Sequence, residues 1–238
     1  MAYLVYCIMK APSVGDMSRI GVDGKALSFI GARGLYAAVS ELNSAENTPP
    51  IAELLVYGRV VEELSRIQAV IPMRYGCFLD GLPAILSVLE EKNLQYKALL
   101  QELEGRVEMG IRILFPERSA RPPQGTQPLD GSHYLAMRRA EYLIRDENSH
   151  RHQVILDAYI QAFSGLHSKY RTETAASEGS VILSLYFLIP KDKVIRFKEM
   201  FRRVAGNEGY KTLISGPWPP YNFAAPDLPS RTSPEAGG

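Results

Sequence analysis

Runs of apolar residues along this chain fall into two kinds, and each kind predicts a different strand environment. Two runs, residues 3–9 and 181–189, are almost continuously apolar. Such runs are typical of strands buried on both faces, so we expect both in the interior of a sheet. A third run, residues 107–113, alternates apolar and polar positions. It predicts a half-exposed strand whose polar face carries Glu108 and Arg112.

Apolar positions three and four residues apart predict the helices. One helix is expected over residues 51–67, with Gly58 on its apolar stripe and therefore close to a neighbouring element. A single longer helix is expected over residues 82–104, and another over 134–166. The centre of the last helix, residues 145–153, is polar all round, which predicts that it projects into solvent or breaks the helix.

The order of predicted elements indicates an α+β protein of two domains. Residues 1–105 contain strands and helices of a small α+β domain. From residue 106 to residue 223 the order is strand, long helix, weak strand, central strand, helix and strand, which is the βαββαβ pattern of a modified ferredoxin-like domain with an extended helix. Residues 224–238 are small, polar and rich in proline, and we expect them to be disordered.

Charge and cysteine content narrow the function. With 27 Lys and Arg against 26 Asp and Glu, the net charge is +1, so no nucleic acid or lipid membrane is expected as a partner. Cys7 and Cys77 are distant in sequence and form no metal or redox spacing, so we expect a reducing, cytoplasmic setting. His150 and His152 would face different ways on a helix, which disfavours a metal pair. We expect no catalytic, metal or cofactor site.

The most distinctive stretch is Gly-Pro-Trp-Pro-Pro-Tyr-Asn-Phe over residues 216–223, which holds the only tryptophan of the chain. Three prolines within five residues exclude a helix and a central strand and predict a stiff polyproline II segment. Its rings either staple the tail onto the preceding sheet, which we favour, or dock on a partner, and both can hold together. The candidate interaction residues here are Trp218, Pro219, Pro220, Tyr221 and Phe223.

A second distinctive stretch is Ile-Pro-Met-Arg-Tyr-Gly, residues 71–76. It contributes the candidates Pro72, Arg74, Tyr75 and Gly76. A guanidinium beside apolar neighbours needs acceptors, so we expect Arg74 to pair internally and fasten this loop. The alternative is that Arg74 anchors a partner protein.

Both stretches resemble motifs of the gas vesicle protein F/L family (GvpF/GvpL). In that family a Gly-Pro-Trp-Pro-Pro-Tyr-x-Phe motif follows the last strand, and a hydrophobic-Pro-x-Arg-aromatic-Gly motif follows the first long helix. Members often carry a histidine in that helix, where this chain has Tyr57 and Gly58, so no role is transferred to such a residue. The resemblance covers nearly the whole chain up to Phe223.

The resemblance implies a non-enzymatic accessory or minor structural protein of gas vesicles. Such proteins act in the nucleation and assembly of the shell by binding the shell protein and other accessory proteins, in the cytoplasm. An edge strand, an apolar groove or the projecting helix would then shield the shell subunit. Two alternatives remain open: a small-molecule-binding regulatory module on the ferredoxin-like half, and a thiol enzyme using Cys77, for which a small buried residue is the favoured interpretation.

Overall fold

The computed structural model describes residues 2–12, 20–42, 49–116, 150–177, 180–205 and 210–224. These residues divide into two compact units, and each contains one sheet. The first unit comprises Met1–Glu108 together with the segment that follows Gly216, and the second comprises Met109–Gly216. The α+β class predicted from the sequence is confirmed. The expected domain limits stay a prediction, although this division groups residues 217–224 with the first unit.

The first sheet is built around its N-terminal strand. Its five strands are β1 (Ala2–Met9), β2 (Ser28–Ala32), β3 (Leu35–Leu42), β4 (Val70–Pro72) and β5 (Phe78–Asp80). They lie in the order β2-β3-β1-β4, and β5 pairs with the start of β1. The strand β1 is therefore interior, as its apolar run predicted. On the side of β1 away from β3, two short antiparallel strands pair with it in succession, β4 with residues 7–9 and β5 with residues 2–4. The loop at residues 73–77 separates β4 from β5.

A β-bulge at Tyr6 determines which side chains of β1 share a face. Val5 is opposite Val39 and Cys7 is opposite Ala38, so Tyr6 is an extra residue in the ladder. An extra residue reverses the alternation of side chains beyond it. Tyr6 and Cys7 consequently join the same buried cluster, in which Leu4 also lies.

Helix α1 (Ile51–Ile67) covers that cluster and buries Tyr57, Val60, Val61 and Leu64. The expectation of one helix over residues 82–104 was wrong. The chain forms α2 (Gly81–Glu91) and α3 (Asn93–Leu103), which are separated at Lys92, where φ is −97° and ψ is 13°. The apolar pattern continues through this break because each helix has its own buried apolar side chains, for example Ile85 in α2 and Leu100 in α3.

The exposed side of α1 also differs from expectation. Ile51 and Leu55 are 76% and 65% exposed, although their spacing placed them on the predicted apolar stripe. A Cβ added at Gly58 would meet no heavy atom within 4 Å, so the expected close contact at this glycine is wrong. Val61 and Leu64, which belong to the same predicted stripe, are buried as expected, together with Tyr57 and Val60.

The second sheet contains β6 (Arg106–Pro116), β7 (Lys169–Ser177), β8 (Ser180–Pro190) and β9 (Lys211–Trp218) in the order β7-β8-β6-β9. Helix α4, described over residues 150–162, lies between β6 and β7 in the chain, and α5 (Val194–Val204) lies between β8 and β9. This is the order of elements in a split βαββαβ unit. The apolar strand β8 is interior, as predicted, and β9, which contains Pro217, is an edge strand.

Aromatic rings form the core of the second unit. The ring of Phe163 lies 4.3 Å from that of Phe197 and 5.4 Å from that of Phe187, measured between centroids. All three side chains are fully buried. The first half of the helix predicted over 134–166 lies outside the described residues.

Candidate interaction site of the first unit

Tyr57, on α1, is the centre of the aromatic cluster in the first unit. Its ring stacks on Tyr6 with a centroid separation of 4.9 Å and meets Tyr75 edge-on at 5.3 Å. Its hydroxyl lies 2.9 Å from the carbonyl oxygen of Val5 and 2.8 Å from that of Met73. Burial raises the pKa of the Tyr57 phenol well above its usual value, so this group remains a proton donor.

The hydroxyl of Tyr57 thus forms its hydrogen bonds at the gap between β4 and β5, where neither strand pairs with β1. Within the interruption, Met73 N–H donates to the Tyr6 carbonyl at 2.9 Å, and Val5 N–H donates to the Cys77 carbonyl at 2.9 Å. Between these two bonds the chain turns, with φ at +95° for Gly76. This value favours glycine over any residue with a side chain, which explains the glycine of the motif.

The first motif loop is anchored on both sides of its arginine. Pro72 is buried in β4, and the Tyr75 hydroxyl donates to Glu53 Oε2 at 2.8 Å. Arg74 itself is exposed, and among the described residues its guanidinium has neither a hydrogen bond nor an ion pair. The expected internal pairing of Arg74 was therefore wrong. Its neighbours hold the loop through backbone bonds and through Tyr75, which leaves the guanidinium in solvent.

The second motif begins as a strand and ends in turns. Trp218 is the last residue of β9 and is 48% exposed, whereas Pro219, Pro220 and Phe223 are buried. Tyr221 N–H donates to the Pro219 carbonyl at 2.8 Å, and Phe223 N–H donates to the Pro220 carbonyl at 3.1 Å. A polyproline II helix has no internal hydrogen bonds, so that expectation was wrong for residues 219–223.

A buried carboxylate fastens this second loop. Asn222 donates from its backbone N–H to Glu108 Oε2 at 2.8 Å and from its side-chain amide to Glu108 Oε1 at 2.6 Å. Glu108 is only 4% exposed, so its predicted place on a solvent-facing strand surface was wrong. The physical reason is a partner 114 residues away in sequence, which supplies two donors to the buried carboxylate.

Both motif loops contact the same aromatic core. Tyr221 is half-buried against the cluster that contains Tyr57 and Cys7. Burial is the main cause that raises the pKa of Tyr221, and the nearby Cys7, Glu108 and Glu62 add to it. The pKa of Tyr57 is raised chiefly by burial and next by Tyr221. The structure thus brings together two motifs that lie about 140 residues apart in the sequence.

Sequence reasoning found the loops but missed the residues that anchor them. Tyr57 and Glu108 lie outside both motif stretches, and Asn222 occupies the variable position of the second motif. A signal was present for Tyr57, because a tyrosine at a buried helical position needs a partner for its hydroxyl. No local signal identified the pair of Glu108 and Asn222, since each is unremarkable among its sequence neighbours.

The environment of Cys77 disfavours a reactive thiol. Burial raises the pKa of Cys77 to about 12, and burial also raises that of Cys7. A thiol with such a pKa carries almost no thiolate at neutral pH. Within the described ranges, no three His, Cys, Asp or Glu residues form a group that could hold a metal ion. In the same ranges, no helix is long and apolar enough to cross a membrane.

The fold and the two anchored loops define a class: an α+β protein with two antiparallel sheets, in which two motif loops lie on one aromatic core. The family model described as "Gas vesicle synthesis protein GvpL/GvpF" matches residues 2–225. The chain therefore belongs to the GvpL/GvpF family of gas vesicle proteins, and the resemblance found in the two motifs is confirmed.

Known relatives agree with this assignment. The chain is 22% identical to gas vesicle protein L1 of Halobacterium salinarum (strain ATCC 700922 / JCM 11081 / NRC-1), covering 94% of this chain and 90% of that protein. It is 23% identical to gas vesicle protein F of Streptomyces sp. (strain CB03234), covering 94% and 99%. Its fold is similar to the crystal structure of GvpF from Anabaena sp. PCC7120, with a TM-score of 0.79, 18% identity and coverage of 95% and 97%.

Proposed function

We propose that this protein is a non-enzymatic accessory or minor structural protein of gas vesicles that acts in shell nucleation and assembly. It binds the shell protein and other gas vesicle accessory proteins, in the cytoplasm and on the growing vesicle. Membership of the GvpL/GvpF family supports a role in gas vesicles. The two motif loops of the first unit are the surface we propose for the shell protein.

The observation that carries this proposal is the way Arg74 and Trp218 are presented. Each is exposed, and each is flanked by anchored residues: Pro72 and Tyr75 beside the arginine, Pro219 beside the tryptophan. Arginine and tryptophan are the side chains most often responsible for binding energy in protein interfaces. Side chains mounted on loops that are already fixed lose little backbone entropy when they bind.

An exposed apolar surface adjoins the first loop. Glu53, which holds Tyr75, lies in the first turn of α1, between Ile51 and Leu55. Ile51 and Leu55 are 76% and 65% exposed, and Leu54 is 41% exposed. Contiguous exposed apolar side chains mark interaction sites on soluble proteins. This surface suits an apolar subunit that must be shielded before it assembles.

The test is to separate binding from stability in two single variants, Arg74→Ala and Trp218→Ala. We expect each to weaken co-purification with the shell protein by about tenfold, as for an interface residue of high contribution. We expect the melting temperature to move by no more than about 2 °C, because the altered side chains are exposed. Arg112→Ala and Leu213→Ala, at exposed residues outside both motifs, are the matched controls.

The opposite pattern would favour a purely structural role for the loops. In that case Arg74→Ala and Trp218→Ala would lower the melting temperature while the shell protein still bound with unchanged affinity.

A further inference from the structure

Helix α5 of the second unit carries an unusual concentration of positive charge. The 3₁₀ turn Lys191–Lys193 and α5 together contain six Lys and Arg residues against two acidic residues, a net charge of +4. The whole chain has a net charge of only +1. The rest of the chain therefore has a net charge of −3, which contrasts with the +4 of this segment.

The arginines of α5 have no partners among the residues that the structure describes. Arg196, Arg202 and Arg203 are exposed, and in the described ranges none of them makes a hydrogen bond or an ion pair. Glu199 lies three and four residues from these arginines, within reach of an ion pair on a helix, yet it makes none. The guanidinium groups are thus available to an external carboxylate, which they can bind through two parallel hydrogen bonds.

Helix stabilisation does not account for this arrangement. Arg202 and Arg203 lie in the last turn of α5, where a cation is favoured by the helix dipole. Arg196, however, lies in the first turn, where the dipole disfavours a cation. Lys198 and Arg202 are like charges at a spacing of four residues, which also costs helix stability. Part of the positive charge therefore works against the helix that carries it.

An exposed isoleucine lies among these charges. Ile195 is 73% exposed, on the side of α5 opposite the buried Phe197. At helical spacing, Ile195 and Glu199 form one stripe, with Arg196 and Arg203 on one side of it and Lys198 and Arg202 on the other. A complementary surface would present an apolar side chain flanked by carboxylates.

We propose that the exposed face of α5 is a second docking surface, which binds an acidic protein segment carrying an apolar residue between carboxylates. A nucleic acid offers phosphates but no apolar group for Ile195. An anionic membrane requires a broad apolar face, and the other apolar residues of α5 are turned towards the protein. A protein segment supplies both chemistries. The inference rests on the proposed function only where the acidic partner is taken to be a gas vesicle protein.

The first arm of the test measures the chemistry directly in the full-length protein. The probe is a labelled synthetic amphipathic peptide with leucine flanked by glutamates, and a second peptide has glutamine in place of each glutamate. We expect Arg196→Glu/Arg202→Glu/Arg203→Glu to weaken binding of the acidic peptide by at least about tenfold, since three attractive pairs become repulsive. Ile195→Ser should weaken it by about threefold without a change in charge.

The matched control reverses three exposed lysines of the first unit, Lys10→Glu/Lys25→Glu/Lys97→Glu. It makes the same change in net charge and should leave peptide binding within about twofold. Equal losses in both triple variants would reduce the effect to net charge and overturn the inference. Tighter binding of phosphatidylglycerol vesicles or of RNA than of the peptide, dependent on the same arginines, would also overturn it.

The second arm uses the shell protein and the other gas vesicle proteins, co-produced one at a time. Loss of one of them from the α5 variant alone supports the inference and identifies the partner. Retention of all of them by both triple variants overturns it, while the proposed function stands. If the unaltered protein binds none of them, the proposed function fails, and the peptide arm alone decides the inference.

Discussion

The hydroxyl of Tyr57 offers the sharpest test of how the two motif loops are held. Tyr57→Phe keeps the ring that stacks on Tyr6 and removes only the oxygen that bonds the carbonyls of Val5 and Met73, at 2.9 and 2.8 Å. The hydroxyl lies within hydrogen-bonding distance of both carbonyls, so the variant removes a buried hydrogen bond. A lost buried hydrogen bond of this kind costs about 1–3 kcal/mol.

The change can be followed with the only tryptophan of the chain. Trp218 belongs to the first unit and is 48% exposed, so its fluorescence reports on unfolding of that unit. Urea titrations should show a lower midpoint for Tyr57→Phe with an unchanged slope. The control is Tyr36→Phe, because Tyr36 is half-buried and its hydroxyl makes no hydrogen bond to any described residue. A loss of less than about 0.5 kcal/mol for Tyr57→Phe, equal to that of the control, would refute the anchoring role.

Three further predictions test separate features of the structure. Gly58→Ala should stabilise the first unit by about 0.5–1 kcal/mol, because an added Cβ meets no other atom and alanine favours a helix. Gly21→Ala should destabilise the same unit by more than about 1 kcal/mol, since its Cβ would collide with the hydrogen-bonded hydroxyls of Tyr6 and Ser40. Equal urea midpoints for the two variants would contradict both predictions. The thiol of Cys77, with its pKa raised by burial to about 12, should react with iodoacetamide at pH 8 at least about 100-fold more slowly than a peptide thiol, and fast labelling of the native protein would contradict this burial. Burial, and next Arg151, lower the pKa of His152, so the folded second unit disfavours the protonated ring. The resulting stability is present above the unfolded pKa of about 6.5 and is lost as pH falls through the folded pKa. In thermal melts between about pH 7.5 and 5, the melting temperature of His152→Gln should therefore fall less than that of the unaltered protein.

The elements predicted correctly are those whose signal is local. The continuous apolar runs of β1 and β8 identified two interior strands, and the alternation in β6 identified a third strand. The order of elements after residue 106 was sufficient to expect the βαββαβ arrangement. Each of these signals depends on neighbouring residues and on the period of the element they form.

The features that were missed depend on contacts between distant parts of the chain. The carboxylate of Glu108 is buried because Asn222 supplies two donors, and no pattern within β6 records this. The break between α2 and α3 at Lys92 falls in an uninterrupted apolar period, so the period predicted one helix. Pro219 and Pro220 favoured an extended segment, but their carbonyls accept hydrogen bonds from residues that turn back onto the core.

The candidate site was predicted in part. Both motif loops were singled out from their prolines, aromatics and Arg74, but their meeting on one core was not. Tyr57 is the residue that joins them, and its role follows from a hydroxyl reaching two carbonyls across the interruption between β4 and β5. That interruption was itself invisible, since β5 was not predicted.

The measurement that tests the central proposal most directly is gas vesicle formation in cells that carry a complete set of gas vesicle genes with the gene for this protein deleted. The proposal predicts that no floating layer forms after centrifugation, that the intact gene restores it, and that Arg74→Ala/Trp218→Ala restores it poorly although the variant is present at normal levels. A normal floating layer in the deletion cells would contradict a role in shell assembly.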